Sequence, residues 1–157
     1  MEVYYLANKE DNLYFALLGD FCDSKTENNP EDSEIVECAL EGVKRLNKKY
    51  SLDDLGNIKN KQDIFYFFNR YRKYNSSEGI WMGWERKRGK LLEFARLLRG
   101  DLDTTYYIKS GEGLKVKYII TLDADTKLPR TAAKRLIGAM YHPLNRAYVG
   151  EDNRVKS

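Results

Sequence analysis

Two carboxylates one residue apart close the stretch Tyr118-Ile119-Ile120-Thr121-Leu122-Asp123-Ala124-Asp125. In an extended chain residues two apart share a face, so Asp123 and Asp125 would meet one divalent cation while Ala124 points away. Magnesium suits such a pair, because it is commonly held by one or two carboxylates with waters and substrate phosphates filling the octahedron. An acidic turn ahead of the next helix, helped by Thr126 and Pro129, is the plainer reading of the same residues. A second constellation, Trp81-Met82-Gly83-Trp84-Glu85-Arg86-Lys87-Arg88-Gly89-Lys90, gathers four cations around two glycines at a helix start, where backbone amides favour an anion. It is not a Walker A loop: five residues separate Gly83 from Gly89, and Leu91 stands where a magnesium-binding hydroxyl belongs. A solvated basic helix start competes with the anion reading.

Asp20 and Asp23 lie on either side of Cys22 after an apolar run, where a carboxylate either hydrogen-bonds a base or ribose or forms a turn. Arg70, Arg72 and Lys73 among Tyr66, Tyr71 and Tyr74 have the types of a nucleic-acid surface, but no RNA-binding motif accompanies them and nucleic acid is not expected. Cys22 and Cys38 fit neither a metal knuckle nor a disulfide framework, and are expected as buried thiols. His142, the single histidine, stands in a His-Pro turn beside no evident nucleophile, which removes triad chemistry and most zinc chemistry.

These residues need elements to position them. The 157 residues fit one ordinary domain, since cores grow singly up to roughly 250 residues. Lys plus Arg number 27 against 24 Asp plus Glu, and a net charge of +3 does not by itself argue for nucleic acid. Hydrophobic residues are 42% of the chain and mean hydropathy is -0.66, with no run near the roughly 20 apolar residues of a membrane helix and no signal-peptide pattern at Met1-Glu2-Val3-Tyr4-Tyr5. The chain is expected to be soluble and not exported.

Leu13 to Leu18, ending at Gly19-Asp20, reads as a strand buried on both faces. Asn29-Pro30-Glu31-Asp32 then supplies a cap, a first-turn proline and acids for an amphipathic helix over about 33 to 50, with Ile35, Val36, Ala39, Leu40, Val43 and Leu46 on one face. Ser51 to Gln62 breaks the period, and Ile64 to Phe68 is a second, aromatic strand ending at Asn69-Arg70. Trp84 to Arg99 reads as a helix stopped by Gly100, Thr104 to Ile108 as a short edge strand, Val116 to Leu122 as the clearest strand, and Thr131 to Met140 as a last helix. Strands alternating with helices predict an α/β fold, a mostly parallel sheet with helices on both faces and ligands outside the carboxyl ends of its strands.

Three segments in order, Gly79 to Lys90, Ile120-Thr121-Leu122-Asp123-Ala124-Asp125-Thr126-Lys127-Leu128-Pro129-Arg130 and His142-Pro143-Leu144-Asn145-Arg146, together with the Phe-Ala-Leu-Leu-Gly-Asp ending at Asp20, resemble the glycosyltransferase domain of cyclic beta-1,2-glucan synthases. The resemblance covers nearly the whole chain. It implies one partial, GT-A-like, Rossmann-related domain over 1–157 that uses UDP-glucose and a divalent metal, Mg or Mn, to build beta-1,2-glucosidic bonds onto a glucan acceptor with inversion. By that likeness Asp123 and Asp125 are the metal and diphosphate pair, Asp20 the strand-end carboxylate near uridine, and Lys90 the lysine near the nucleotide; Arg70 and Asp23 transfer more weakly. A leaving UDP needs its charge stabilised by metal and cations, and inversion needs a carboxylate base for the acceptor, for which no candidate stands in these residues.

The resemblance further implies that the domain continues beyond Ser157 and opens before Met1, so that this chain is inactive alone and an absent strand leaves an edge open to pairing with a second copy. The parent is expected as a membrane-associated synthase, with this segment in the cytoplasm at the inner face of the membrane. A rival expectation makes the segment a non-catalytic scaffold of that synthase.

Overall fold

A computed structural model describes residues 1–51, 62–111, 114–145, 148–151 and 153–156. Most of the Ser51–Gln62 stretch and Arg146 lie outside the described residues. The elements run α1 (Glu2–Ala7), β1 (Phe15–Asp20), α2 (Asp32–Tyr50), β2 (Phe65–Arg70), β3 (Lys73–Asn75), β4 (Ile80–Met82), α3 (Arg86–Leu98), β5 (Tyr106–Lys109), α4 (Ala132–Tyr141), β6 (Tyr148–Val149) and β7 (Val155–Lys156), with one turn of 3-10 helix at Pro143–Asn145. They form two compact units, one from Tyr14 to Val116 and one joining Glu2–Leu13 to the chain from Lys117 onward.

The first unit is organised by β2. Every residue of this strand is buried, and it lies centrally in a sheet of order β1-β2-β5. Its side chains alternate, as a pleated strand requires. Tyr66 and Phe68 go to one face, where they cluster with Phe94 of α3, Tyr106 and Leu114. The Phe68 and Phe94 rings meet edge to face with centroids 5.0 Å apart, a geometry the aromatic quadrupole favours. Phe65 goes to the other face, where its ring lies 5.9 Å from Tyr50 of α2. Asn47 ties this helix to the strand: its Nδ2 donates to the Phe65 carbonyl (2.8 Å), and its Oδ1 accepts from the Phe65 and Ile64 amides (2.8 and 3.1 Å). Helices on both faces of a sheet are thus observed in this unit.

Several expectations are corrected. The sheet is mixed, since β1 pairs with β2 in parallel while β5 pairs with it antiparallel. β1 is an edge strand with Ala16 and Leu17 exposed, and since these neighbours point to opposite faces, its apolar run is fully covered on neither. α2 begins after Glu31 with no side-chain cap, because the Asp32 carboxylate accepts from the Asn29 amide (2.8 Å) and from Arg72 instead. α3 starts at Arg86 rather than Trp84, because Glu85 and Arg86 take φ of 47° and 49°. Both cysteines are exposed, Cys22 on a loop and Cys38 on the solvent side of α2.

Val116 to Leu122 forms no ladder among the described residues. Val116, Tyr118 and Ile120 are half-buried while Lys115, Lys117 and Ile119 are exposed, the alternation of an extended chain. The period is therefore present, but a strand also needs a neighbour to take its backbone groups. The β3–β4 hairpin, the β6–β7 hairpin and α1 were not legible in the sequence pattern.

In the second unit α1 is fastened to the start of α4. The Thr131 amide donates to the Ala7 carbonyl (3.0 Å) and the Ala133 amide to Asn8 Oδ1 (3.0 Å). No helix among the described residues is long and apolar enough to cross a membrane.

The central and edge strands make opposite predictions. Phe68→Ala should cost about 3–5 kcal/mol in urea unfolding of the chain, as buried aromatic truncations do, whereas Leu17→Ala should cost less than about 1 kcal/mol. Equal losses would show that β2 is not the centre of the core.

Candidate functional site

The carboxyl ends of the parallel pair β1 and β2 carry Asp20 and Arg70, which are register partners. Arg70 continues the Tyr66 and Phe68 series, and so points to the α3 side, where its side chain has no solvent exposure. Such a charge must be fully paired. Nε donates to Asp20 Oδ1 (2.6 Å), Nη1 to Glu93 Oε2 (3.0 Å) and the Trp84 carbonyl (3.0 Å), and Nη2 to the Arg86 carbonyl (3.1 Å). Burial works against the charge, but the bonds to Asp20 and Glu93 outweigh it and hold the guanidinium pKa above its ordinary value. Glu93 is held in turn by the Thr105 hydroxyl and amide.

Lys90, one turn before Glu93 on α3, places Nζ 3.2 Å from the second oxygen of Asp20. Two of the residues expected at a nucleotide site, Asp20 and Lys90, are therefore in contact, with side chains 18% and 23% exposed and reachable from solvent. The Tyr106 hydroxyl donates to the Lys90 carbonyl (3.0 Å) from the core, and burial pushes its pKa up. The four charges of Asp20, Arg70, Lys90 and Glu93 sum to zero.

The glycines of the basic segment serve close approach. A Cβ on Gly83 would stand 2.8 Å from Arg70 Nη2 and 2.9 Å from Asp20 Cγ, and one on Gly89 would stand 2.1 Å from the Trp84 carbonyl oxygen. Gly83 thus lets the end of β4 lie against the ion pair, and Gly89 lets the first turn of α3 fold over Trp84. Arg86 bridges Asp23 (2.6 Å) and Glu78 (2.8 Å), and Arg88 pairs with Glu85 (3.0 Å). Asp23 accordingly serves an exposed ion pair.

Asp123 and Asp125 lie in the second unit, in a tight turn closed by the Thr126 amide donating to the Asp123 carbonyl (3.0 Å). The chain does not stay extended past Leu122, so the alternation that would put both carboxylates on one face does not operate there. Both residues are exposed. The turn is anchored by the Tyr4 hydroxyl of α1, which donates to the Thr126 carbonyl (2.7 Å). Among the described residues no group of three or more His, Cys, Asp or Glu is gathered for a metal ion. Two oxygen-donor carboxylates in one turn still match in type a cation whose remaining ligands are phosphates and waters.

Glu93 escaped sequence reasoning, though a signal was present. It lies three residues after Lys90 and one before Phe94, on the core-facing side of α3. A carboxylate there requires a buried cation. Arg72 is likewise buried, and donates to Asp32 Oδ2 and Oδ1 (2.5 and 3.0 Å), the Cys22 carbonyl (2.7 Å) and the Glu27 carbonyl (3.1 Å).

No family model matches the chain. Among curated proteins, the chain is 46% identical over 152 residues to the cyclic beta-(1,2)-glucan synthase NdvB of Rhizobium meliloti (strain 1021). The match takes in 95% of this chain and 5% of that protein. The chain is therefore homologous to a segment of a glucan synthase, in agreement with the motif resemblance, and spans about 5% of that relative's length.

Arg70→Ala should destabilise the chain by about 3–5 kcal/mol in urea unfolding, because it strands Asp20 and Glu93 without their shared cation; a loss below about 1 kcal/mol would remove Arg70 from the centre of the site. Hydrogen bonds from Arg72 hold the Asp32 carboxyl below its ordinary value of 3.8, against an opposing effect of burial. A depressed carboxylate stabilises the fold above the unfolded value and loses that contribution as pH falls through the folded one. The acid loss of stability between about pH 4 and pH 2 should accordingly be shallower in Asp32→Asn than in the parent chain.

Proposed function

We propose that this chain is the nucleotide-sugar-binding segment of an inverting, metal-dependent glucosyltransferase that makes beta-1,2-glucan from UDP-glucose. The observation that carries the reading is the meeting of Asp20 and Lys90 at the carboxyl ends of β1 and β2. Ligands of α/β sheets bind outside the carboxyl ends of parallel strands. The homology to a segment of a glucan synthase supports the substrate class.

In this reading Lys90 is the working cation. Arg70 is sealed and spent on internal partners, whereas the Lys90 ammonium is partly exposed and rests on one carboxylate oxygen. A diphosphate offers a denser negative charge than that oxygen and would draw the ammonium to it. Asp20, fixed by Arg70, keeps a carboxylate in place for hydroxyl or N–H donors of a nucleoside. Asp123 and Asp125 would hold the divalent metal, whose chemistry is to neutralise charge developing on the leaving diphosphate. The rest of a larger synthase would supply the acceptor base, with the segment at the cytoplasmic face of the inner membrane.

A second reading is favoured by the engagement of both Asp20 oxygens inside the protein. In it the cluster is a scaffold that packs this segment against the remainder of the synthase and binds no nucleotide.

A thermal-shift titration separates the two. UDP and UDP-glucose at ten times their dissociation constant, with manganese or magnesium, should stabilise the chain by about 1.4 kcal/mol, a shift of a few degrees. Lys90→Ala should weaken UDP about tenfold or more, as loss of a charge-assisted bond does, and Asp123→Ala or Asp125→Ala should abolish the metal dependence. Ligand-independent melting of the folded chain would leave the scaffold reading.

A further inference from the structure

Within the first unit, a groove of about 850 Å³ runs between the amino half of α2 and the loops that leave β1 and β2. That volume is in the range of small-molecule sites, roughly 300–1,000 Å³. Its aromatic wall is continuous: the Phe21 ring lies 6.3 Å from Tyr107, and Tyr107 lies 6.5 Å from Tyr71. Tyr71 and Tyr107 are 40% and 46% exposed, large for rings that touch one another.

The wall is built rather than incidental. Tyr107 faces the groove because the register between β2 and β5 slips: Asn69 opposes Ile108, Arg70 opposes Tyr106, and Tyr107 is left without a partner on β2. Phe21 is held from behind by Arg72, whose guanidinium carbon is 4.8 Å from the ring centroid while its nitrogens grip Asp32 at the start of α2. Arg72 and Asp32 cancel in charge. The rest of the lining then carries Glu27, Glu37 and Glu41 against Lys44.

An acidic rim repels a diphosphate, so this groove is unsuited to a nucleotide donor. Carboxylates and the amides of Asn28 and Asn29 are acceptors for hydroxyl groups, and the negative faces of aromatic rings attract the weakly positive C–H faces of a sugar ring. We propose that this groove is a holding site for a neutral gluco-oligosaccharide, with Tyr71, Tyr107 and Phe21 as stacking platforms and Glu37 and Glu41 as hydroxyl acceptors. The choice of glucose as the sugar rests on the function proposed above; the pairing of aromatic wall and acidic rim does not.

Isothermal titration of the whole chain with linear gluco-oligosaccharides of beta-1,2 and beta-1,4 linkage tests this, with a lysine-rich peptide as the competing class. Binding of either glucan is expected, weakened about tenfold by Tyr71→Ala and by Tyr107→Ala and retained in Tyr71→Phe, as loss of a stacking face predicts. Glu41→Lys, an exposed change on α2 that leaves the aromatic wall in place, should also weaken it, which keeps the test informative if an alanine variant misfolds. Lys90→Ala should leave glucan binding intact, and the groove variants should leave any UDP response intact, so the two sites fail separately. Absence of glucan binding by the folded chain, indifference to Tyr71→Ala, Tyr107→Ala and Glu41→Lys alike, or displacement of the glucan by the peptide would each overturn the proposal.

Discussion

A guanidinium sealed at the end of a central strand can persist only if every face of it is answered, and the first unit is arranged around that requirement. Removing such a charge from water costs several kcal/mol, which two carboxylates and two carbonyls at bonding distance offset. Asp20 brings the end of β1, Glu93 brings α3, and the carbonyls of Trp84 and Arg86 bring the turn between β4 and α3. That turn bends through positive φ at Glu85 and Arg86, at a cost on the order of 1 kcal/mol each. Gly83 is required because any side chain there would strike the ion pair. Lys90 meets Asp20 as a consequence: once Glu93 is fixed on Arg70, the preceding turn of α3 lies over the strand end.

What could be read from the sequence was what depends on near neighbours. The helical period of Ile35 to Leu46 and of Leu91 to Leu98, and the aromatic run Phe65–Phe68, each encode their own element, and α2, α3 and β2 follow. Direction and partnership are not local. Thr104 to Ile108 read as an edge strand, as β5 is, but nothing in those residues states that it runs against β2. Val116 to Ile120 has the alternation of a strand, yet alternation cannot supply the neighbour that a ladder needs. Cys22 and Cys38 were misjudged because residue type predicts average burial, while loop position and helix phase decide it in one molecule.

The site was legible in the same partial way. Asp20 stands out as a carboxylate at a strand end, Lys90 is singled out among four cations at a helix start only by the family resemblance, and the fold brings the two together. Their organiser was only half visible, because Arg70 reads as a cation at a strand end and a weaker transfer of the resemblance, and Glu93 as a polar residue in an apolar helix. The glycines of the basic segment were visible, but their purpose was not: they read as a possible anion cradle, whereas in the fold they have the separate task of close packing.

The slip of register between Asn69 and Arg70 links the two sites. Up to Arg70, alternate residues of β2 serve α3, the series Tyr66, Phe68 and Arg70. With regular pairing continued, Arg72 would join that side as well. Instead the strand ends, Tyr71 takes its bond from its amide to the Thr105 carbonyl (3.0 Å), and Arg72 reaches the opposite helix at Asp32. Two nearby arginines at the end of β2 thus serve two different helices, Arg70 at Glu93 of α3 and Arg72 at Asp32 of α2. The slip leaves Tyr107 without a partner on β2, beside Tyr71 just past the strand end, so that a neutral, partly exposed ion cluster and an acid-rimmed aromatic groove grow from the same strand end. The two ligands proposed for these sites, an anionic donor and a neutral chain, differ in electrostatic demand, and such an arrangement would hold them apart.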